Sequence, residues 1–371
     1  MAQPVYPQPE DAATRPVASL RRGWTTGTCA TAATTAAVRG LYGLAVPDAV
    51  EVRLPRGGIA RLRLAESWTG DGAAGAALVK DAGDDPDVTH GCLVRVVAVP
   101  AAPGAGVRFR AGEGVGTVTL PGLPIPPGEP AINPVPRRMM RDAVAEVAVE
   151  AGRPGDVELT VSIPGGEALA ARTLNPRLGI VGGLSILGTT GVVVPFSCAS
   201  WIHSIHRGID VARAAGLDHL AAATGSTSEA FVRARYGLPD MAVLDMGDFV
   251  GGTLKYLRRH PVPRLSLVGG IGKLAKLAQG ALDLHSARST LDRPRLAAML
   301  AAAGAPAALC AAVDSTVTVA GLLELAEGFP FGDFVCRHAL SVASDTVGRH
   351  VVVEVLAIDR AGRLVGRADG W

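Results

Sequence analysis

Three glycine-rich junctions and one acidic loop carry the residue types that could do chemistry. Gly269–Gly270–Ile271–Gly272–Lys273 follows an apolar run and precedes a helical stretch. The first amides of a helix lack intrahelical partners and carry the positive end of its dipole, so they attract an anion. The run is not a Walker loop, because Leu267 stands where that motif needs Gly and Leu274 where it needs Ser or Thr. Nor is it G-x-G-x-x-G, which disfavours a dinucleotide-dependent oxidoreductase. A tight structural turn is the alternative reading. Thr224–Glu229 and Asp245–Gly252 occupy equivalent places after two other apolar runs. A carboxylate accepts two hydroxyl hydrogen bonds, so Asp245 or Glu229 could hold a ribose diol. Helix capping by Ser228 and Asp248 is the plainer alternative. Gly225, Glu229, Asp245, Gly269, Gly270 and Gly272 are therefore the candidates for a nucleoside-bearing ligand.

The acidic loop runs from Lys80 through Asp81, Asp84, Asp85 and Asp87 to His90 and Gly91. Its spacing is not that of an EF-hand, and Pro86 breaks the ligand rhythm, so no metal site is expected. Asp84 or His90 could present an acid or base, while an Asp run before Pro is also an ordinary turn. His285, in Asp283–Leu284–His285–Ser286, has an unperturbed pKa near neutrality and suits a proton shuttle. Gly112, Gly114 and Gly116 let a ligand or another backbone lie flat on a strand. Cys29 in Thr25–Thr26–Gly27–Thr28–Cys29 opens a helix, and a small buried thiol is its ordinary role. The five cysteines have no C-x-x-C spacing, which argues against a disulfide framework or zinc site.

These residues need a frame. With 371 residues, two domains are expected. Aromatics are only 4%, so the core must rest on Ala, Val, Leu and Ile. A net charge of +2, with basic residues dispersed, offers no stripe for nucleic acid. The charge-free stretches Gly179–Phe196 and Leu296–Val313 are broken by Gly and Pro and poor in large apolar side chains. We therefore expect no membrane span and a cytoplasmic protein. Residues 1–20 read as a flexible arm. Residues 21–195 read as an α+β domain: a helix over Thr25–Arg39, strands near Glu51–Leu54, Ile59–Leu64, Leu93–Val99, Val107–Arg110 and Val157–Ile163, and a helix over Arg137–Val149. Residues 196–371 repeat strand, turn and helix three times, with strands at His219–Ala223, Met241–Met246 and Arg264–Val268. That rhythm implies a Rossmann-like α/β domain with a mostly parallel sheet, binding ligand beyond the carboxyl ends of its strands. A hairpin over Val351–Val365 closes the chain.

The ordered blocks Gly23–Ala30, Lys80–Gly91, Gly112–Thr119, Pro130–Arg137, Asn175–Gly183, Leu187–Gly191 and Ile271–Leu274 resemble the cobalt-precorrin-5B C(1)-methyltransferase family. The match runs from about residue 22 to 286. Gly270, Leu284, Asp248 and the Thr224–Glu229 turn depart from the family pattern. The resemblance implies methyl transfer from S-adenosylmethionine to ring carbon 1 of a corrinoid in vitamin B12 synthesis, with cobalt present only as part of the substrate. His285, Asp84 and His90, the acid or base candidates above, are the catalytic residues expected for that reaction. The resemblance also implies corrinoid contacts at Thr26, Thr28, Lys80, Glu113, Gly114, Arg137, Arg177, Thr189, Thr190 and Lys273, since a carboxylate-rich ring calls for basic and hydroxyl donors. The partner expected is the small-molecule corrinoid, and a homo-oligomer is compatible with the reading. A non-catalytic tetrapyrrole carrier is the alternative, which would need no methyl-donor pocket.

Overall fold

The computed structural model describes residues 20–371. The arm expected over residues 1–20 lies outside the described residues, except for Leu20. The chain divides into two compact units, Met1–Cys198 and Ala199–Trp371, and both mix helices with sheet.

In the first unit, β1 (Gly23–Trp24) leads into α1 (Thr26–Leu41) and a hairpin of β2 (Ala49–Arg53) and β3 (Ile59–Arg63). Strands β4 (Glu66–Gly70), β5 (Ala73–Val79), β6 (Leu93–Pro100), β7 (Val107–Ala111) and β8 (Thr117–Val118) follow. Then come α2 (Pro134–Ala151), β9 (Val157–Ser162), α3 (Gly166–Ala170), β10 (Ile180–Val181) and β11 (Val192–Val193). The main sheet has the order β4-β5-β6-β9-β7 and is antiparallel except where β7 runs beside β9. Period-two alternation puts Val94, Val96 and Ala98 of β6 and Val157, Leu159 and Val161 of β9 on the buried face. Helix α1 packs there. Its small residues Ala30, Ala32, Ala33, Ala36 and Ala37 are buried, so the helix approaches the sheet closely. Thr25 caps α1, its Oγ1 accepting the Thr28 N–H at 3.2 Å. Helix α2 begins at Pro134, earlier than the periodicity predicts, because Pro fits the first helical turn, where no N–H partner is needed. The β4–β5 hairpin was not anticipated, since Ala73–Val79 is rich in Ala and Gly, which strands disfavour.

In the second unit, α4 (Cys198–Ala214) precedes β12 (His219–Ala223), α5 (Ser226–Tyr236), β13 (Val243–Asp245), α6 (Val250–Arg259), β14 (Arg264–Gly270) and α7 (Ile271–Ala278). Helices α8 (Arg293–Ala302), α9 (Ala307–Ser315), α10 (Val319–Leu325) and α11 (Phe331–Val347) come next, then β15 (Val352–Ile358) and β16 (Leu364–Ala368). The sheet order is β13-β12-β14-β15-β16, parallel but for the edge strand β16. Alternation divides the strands between two cores. Leu220, Leu265, Leu267, Val353 and Val355 pack with α4, α6, α7 and α11, while Ala221, Val243, Val268 and Leu356 face α5. The tail hairpin thus contributes an internal parallel strand, β15, which pairs with β14 over its whole length. The charge-free stretch Leu296–Val313 is two short helices separated at Gly304. Among the described residues, no helix is long and apolar enough to cross a membrane.

Candidate functional site

In the first unit the acidic loop joins β5 to β6, closed where Val79 pairs with Leu93. Each of its aspartates has a defined partner. Arg21 Nη1 and Nη2 donate to Asp81 at 2.5 and 2.9 Å. These bonds, with a further one from the Gly83 N–H, hold the Asp81 carboxyl down at about 2. Asp84 accepts the Arg21 N–H at 2.8 Å, and Asp85 accepts the Phe196 N–H at 2.9 Å. Burial pushes the Asp85 carboxyl up. Lys80 Nζ donates to Asp87 at 2.5 Å, and Asp87 also takes the Thr89 N–H and hydroxyl at 2.8 and 2.7 Å. Burial raises Asp87, but the Lys80 charge and these hydrogen bonds outweigh it and hold the carboxyl below its ordinary range. His90 Nδ1 accepts the Ala82 N–H at 3.1 Å, so a neutral ring carries its proton on Nε2. Among the described residues, no group of three or more His, Cys, Asp or Glu side chains could hold a metal ion.

The same loop meets the start of α1. The Trp24 N–H donates to Asp81 O at 2.8 Å, and β1 pairs with β11. The 187–191 segment lies over the first turn of α1, where Gly27 N–H donates to Leu187 O and Thr25 N–H to Gly191 O. A Cβ on Gly188 would fall 2.2 Å from Thr25 Oγ1, so only glycine permits this approach. The fold thus gathers Thr26, Asp84, His90, Thr189 and Thr190 around one end of α1, from three separate stretches of chain. Thr189 is exposed beside the exposed Leu187, whereas Thr190 Oγ1 donates to Val192 O at 2.9 Å. Arg177 is half-buried in the 3-10 turn Pro176–Leu178. That turn is anchored by buried Asn175, which donates to Gly183 O at 3.0 Å and accepts from Ser185 at 3.2 Å.

Several expectations need correction here. Lys80 is 1% exposed and faces Asp87, so it builds the loop instead of reaching a ligand. Thr28 is fully buried and donates to Gly191 O at 2.7 Å. Gly114 has φ +70, and a Cβ there would lie 1.9 Å from Ile163 O. The Gly112–Gly116 block therefore accommodates the chain's own backbone, with Glu113 O accepting the Ile163 N–H. Glu113 itself is exposed, and its carboxylate takes the Gly165 N–H at 3.4 Å. Arg137 directs three N–H groups at Ile132 O, Glu129 and Pro130 O, at 2.8–3.0 Å, tying α2 to the segment before it. Cys29 is shut off from solvent, and burial pushes its thiol up to about 12, against the pull of Lys80. This agrees with the small buried thiol expected from the sequence.

In the second unit the chain runs from β12 to β13 on one side and then crosses to β14 on the other. Helix α5 lies on one face of the sheet and α6 and α7 on the other. The loops after β12 and β14 therefore part in opposite directions at the carboxyl ends of the strands. Gly225 and Gly270 are the N-caps of α5 and α7, and neither helix has a side-chain cap. A Cβ at Gly225, Gly270 or Gly272 would meet no atom within 4 Å, so these glycines border open space. Lys273 Nζ donates to Thr224 O at 3.1 Å and lies 3.1 Å from Asp248 Oδ1. The latter is a charge contact only: Asp248 Oδ1 is shut from solvent and accepts no hydrogen bond. Trp201 Nε1 donates to Asp245 O at 3.2 Å, and its ring lies against Gly247.

Here too the structure revises the sequence reading. Glu229 is buried and pairs with Arg233 at 3.2 Å, so it is not available to a ribose. Gly269 is buried, and its missing Cβ makes room for the Thr224 side chain. Ser228 lies inside α5, and Phe249 is the N-cap of α6, so neither Ser228 nor Asp248 caps a helix. His285 Nδ1 accepts the Ala287 N–H at 3.2 Å, which leaves Nε2–H as a donor and opposes a proton-accepting role. The preceding residue is tied to the segment after β13, where Leu284 N–H donates to Asp248 O at 2.9 Å. Asp248 and Trp201 were missed as site residues. Only the spatial meeting of positions far apart in sequence reveals them.

Residues 13–195 match the CbiD family, and residues 283–369 match the family described as CbiD, C-terminal domain. A cobalt-precorrin-5B C(1)-methyltransferase of Brucella anthropi is 56% identical, covering 94% of this chain and 96% of its own. One from Paramagnetospirillum magneticum is also 56% identical, covering 94% of this chain and 98% of its own. A crystal structure of the cobalamin biosynthesis protein cbiD from Archaeoglobus fulgidus is 27% identical. It covers 72% of this chain and 83% of its own, with a TM-score of 0.40.

Proposed function

Because the chain belongs to the CbiD family of cobalt-precorrin-5B C(1)-methyltransferases, we propose that it methylates ring carbon 1 of cobalt-precorrin-5B to give cobalt-precorrin-6A in cobalamin biosynthesis. The observation that carries this is 56% identity over nearly the full length of both chains. The methyl donor is S-adenosylmethionine, which supplies a sulfonium carbon open to in-line attack by a nucleophilic ring carbon.

The donor belongs at the carboxyl ends of β12, β13 and β14, in the Rossmann-like second unit. Gly225, Gly270 and Gly272 leave room for a ligand to approach the backbone, and Asp245 is placed to accept from ribose hydroxyls. The corrinoid belongs to the first unit at the start of α1. Thr189, Arg177 and the Nε2–H of His90 supply donors for its carboxylates, and exposed Leu187 offers apolar surface to the ring, whereas Thr26 is buried and does not reach it. No covalent enzyme intermediate is needed. The residues act by fixing angle and distance, a contribution of ~7–11 kcal/mol when fully realised. The test is incubation with cobalt-precorrin-5B and methyl-labelled S-adenosylmethionine, followed by mass analysis. One labelled methyl group on the corrinoid is expected, and an unchanged corrinoid with intact donor would refute the assignment.

A further inference from the structure

We propose that Lys273 and Asp248 form the subsite for the amino-acid end of the methyl donor, a zwitterion with one carboxylate and one ammonium. This rests on the donor reading above and assigns Lys273 to the donor instead of the corrinoid. An ammonium has three N–H donors. Lys273 directs one at Thr224 O and faces Asp248 Oδ1, and 38% of its side chain stays exposed. A donor therefore remains for an incoming carboxylate. Asp248 carries the opposite charge. Its side chain is 22% exposed, and its Oδ1 is shut from solvent without a hydrogen bond. Lys273 already offsets the charge at that buried oxygen, so an incoming ammonium meets the part of the side chain that stays exposed, where the carboxylate's negative charge attracts it.

The surroundings select a zwitterion over a simple ion. A free anion drawn to Lys273 meets the negative charge of Asp248 about 3 Å away, and a free cation drawn to Asp248 meets Lys273. The same repulsion disfavours a corrinoid carboxylate. An α-amino acid carries both charges one carbon apart and satisfies both residues together. The open backbone at Gly225 and Gly270 lies on the neighbouring strand ends, β12 and β14, which are paired in the sheet. It leaves space for the carboxylate without displacing any side chain.

The test is calorimetric titration of the full chain with S-adenosylhomocysteine, which keeps the amino-acid end, and with methylthioadenosine, which lacks it. Lys273→Met and Asp248→Asn should each weaken S-adenosylhomocysteine roughly ten- to hundredfold, the loss of one charge-assisted hydrogen bond. Both should leave methylthioadenosine affinity unchanged, so the effect is read from the ratio between the two ligands. Unaltered S-adenosylhomocysteine binding in both variants overturns the proposal. So does an equal loss for the two ligands, which marks a structural pair. If the unmodified protein binds neither ligand, the donor site itself is misplaced and this subsite goes with it. If Lys273→Met impairs only corrinoid binding, the donor site stands and this subsite fails.

Discussion

Lys80→Met tests whether the buried ammonium holds the acidic loop in place. Methionine has nearly the length and volume of lysine, so the change removes charge with little change in packing. Removing one partner of a fully buried ion pair costs about 3–5 kcal/mol, because the other charge is left without compensation. Asp87 keeps 26% of its side chain exposed and retains both bonds from Thr89. The loss should therefore fall near the low end, about 3 kcal/mol in urea unfolding at neutral pH. The double variant Lys80→Met with Asp87→Asn keeps an acceptor for Thr89 and removes the orphaned charge, so it should recover part of that loss. The pH dependence has a definite sign. Asp87 titrates lower in the folded protein than its ordinary 3.8, so the pair's full stabilisation is present above that value and is lost as pH falls through the folded pKa. The gap between wild type and Lys80→Met should narrow in acid. A loss below about 1 kcal/mol, the range of exposed pairs, would refute the reasoning. So would a double variant less stable than Lys80→Met.

Two glycines should behave oppositely. Gly114→Ala should destabilise the fold by at least about 1–3 kcal/mol, from left-handed strain and a clash with Ile163 O, read from thermal melting. Gly270→Ala should melt like wild type yet weaken S-adenosylhomocysteine in calorimetry, because its Cβ enters open space on the proposed donor side. Tyr236→Phe should cost about 1.5–3 kcal/mol in urea unfolding, the range for a hydrogen bond to a charged group. It removes a 2.6 Å bond to buried Glu354, which also accepts from Ser266. Alkylation at neutral pH should label exposed Cys198 while sparing Cys29 and Cys336, whose buried thiols are pushed up to about 12. Peptide mapping would detect the opposite order.

Legibility followed the range of the forces involved. The helix over Thr25–Arg39 could be read because Thr25 caps it and apolar residues recur along it. The parallel strands could be read because apolar runs bounded by Gly-rich turns recur three times. Strand β5 escaped because Ala and Gly carry little strand preference, and its place depends on pairing with β6. Helix α7 begins at Ile271, so Gly272 belongs to the helix and not the turn, because β14 extends through both preceding glycines. Glycine was the most ambiguous signal. Gly114 and Gly270 look alike in sequence, yet one admits the chain's own backbone and the other borders open space.

By itself the sequence determined which residues were present for chemistry, the alternation of strands and helices, and, through its long ordered blocks, the family. Those properties depend on local periodicity and residue type. Which side chains remain available was decided only by the tertiary structure. Lys80, Arg137 and Glu229 carry the charges a polyanionic or ribose-bearing ligand would call for, but each meets an opposite charge within its own unit. Asp248 carries no motif, yet the crossing from β13 to β14 brings it to Lys273. Buried charge must find its partner through space, and that partner's distance along the chain is not written in either residue's neighbourhood.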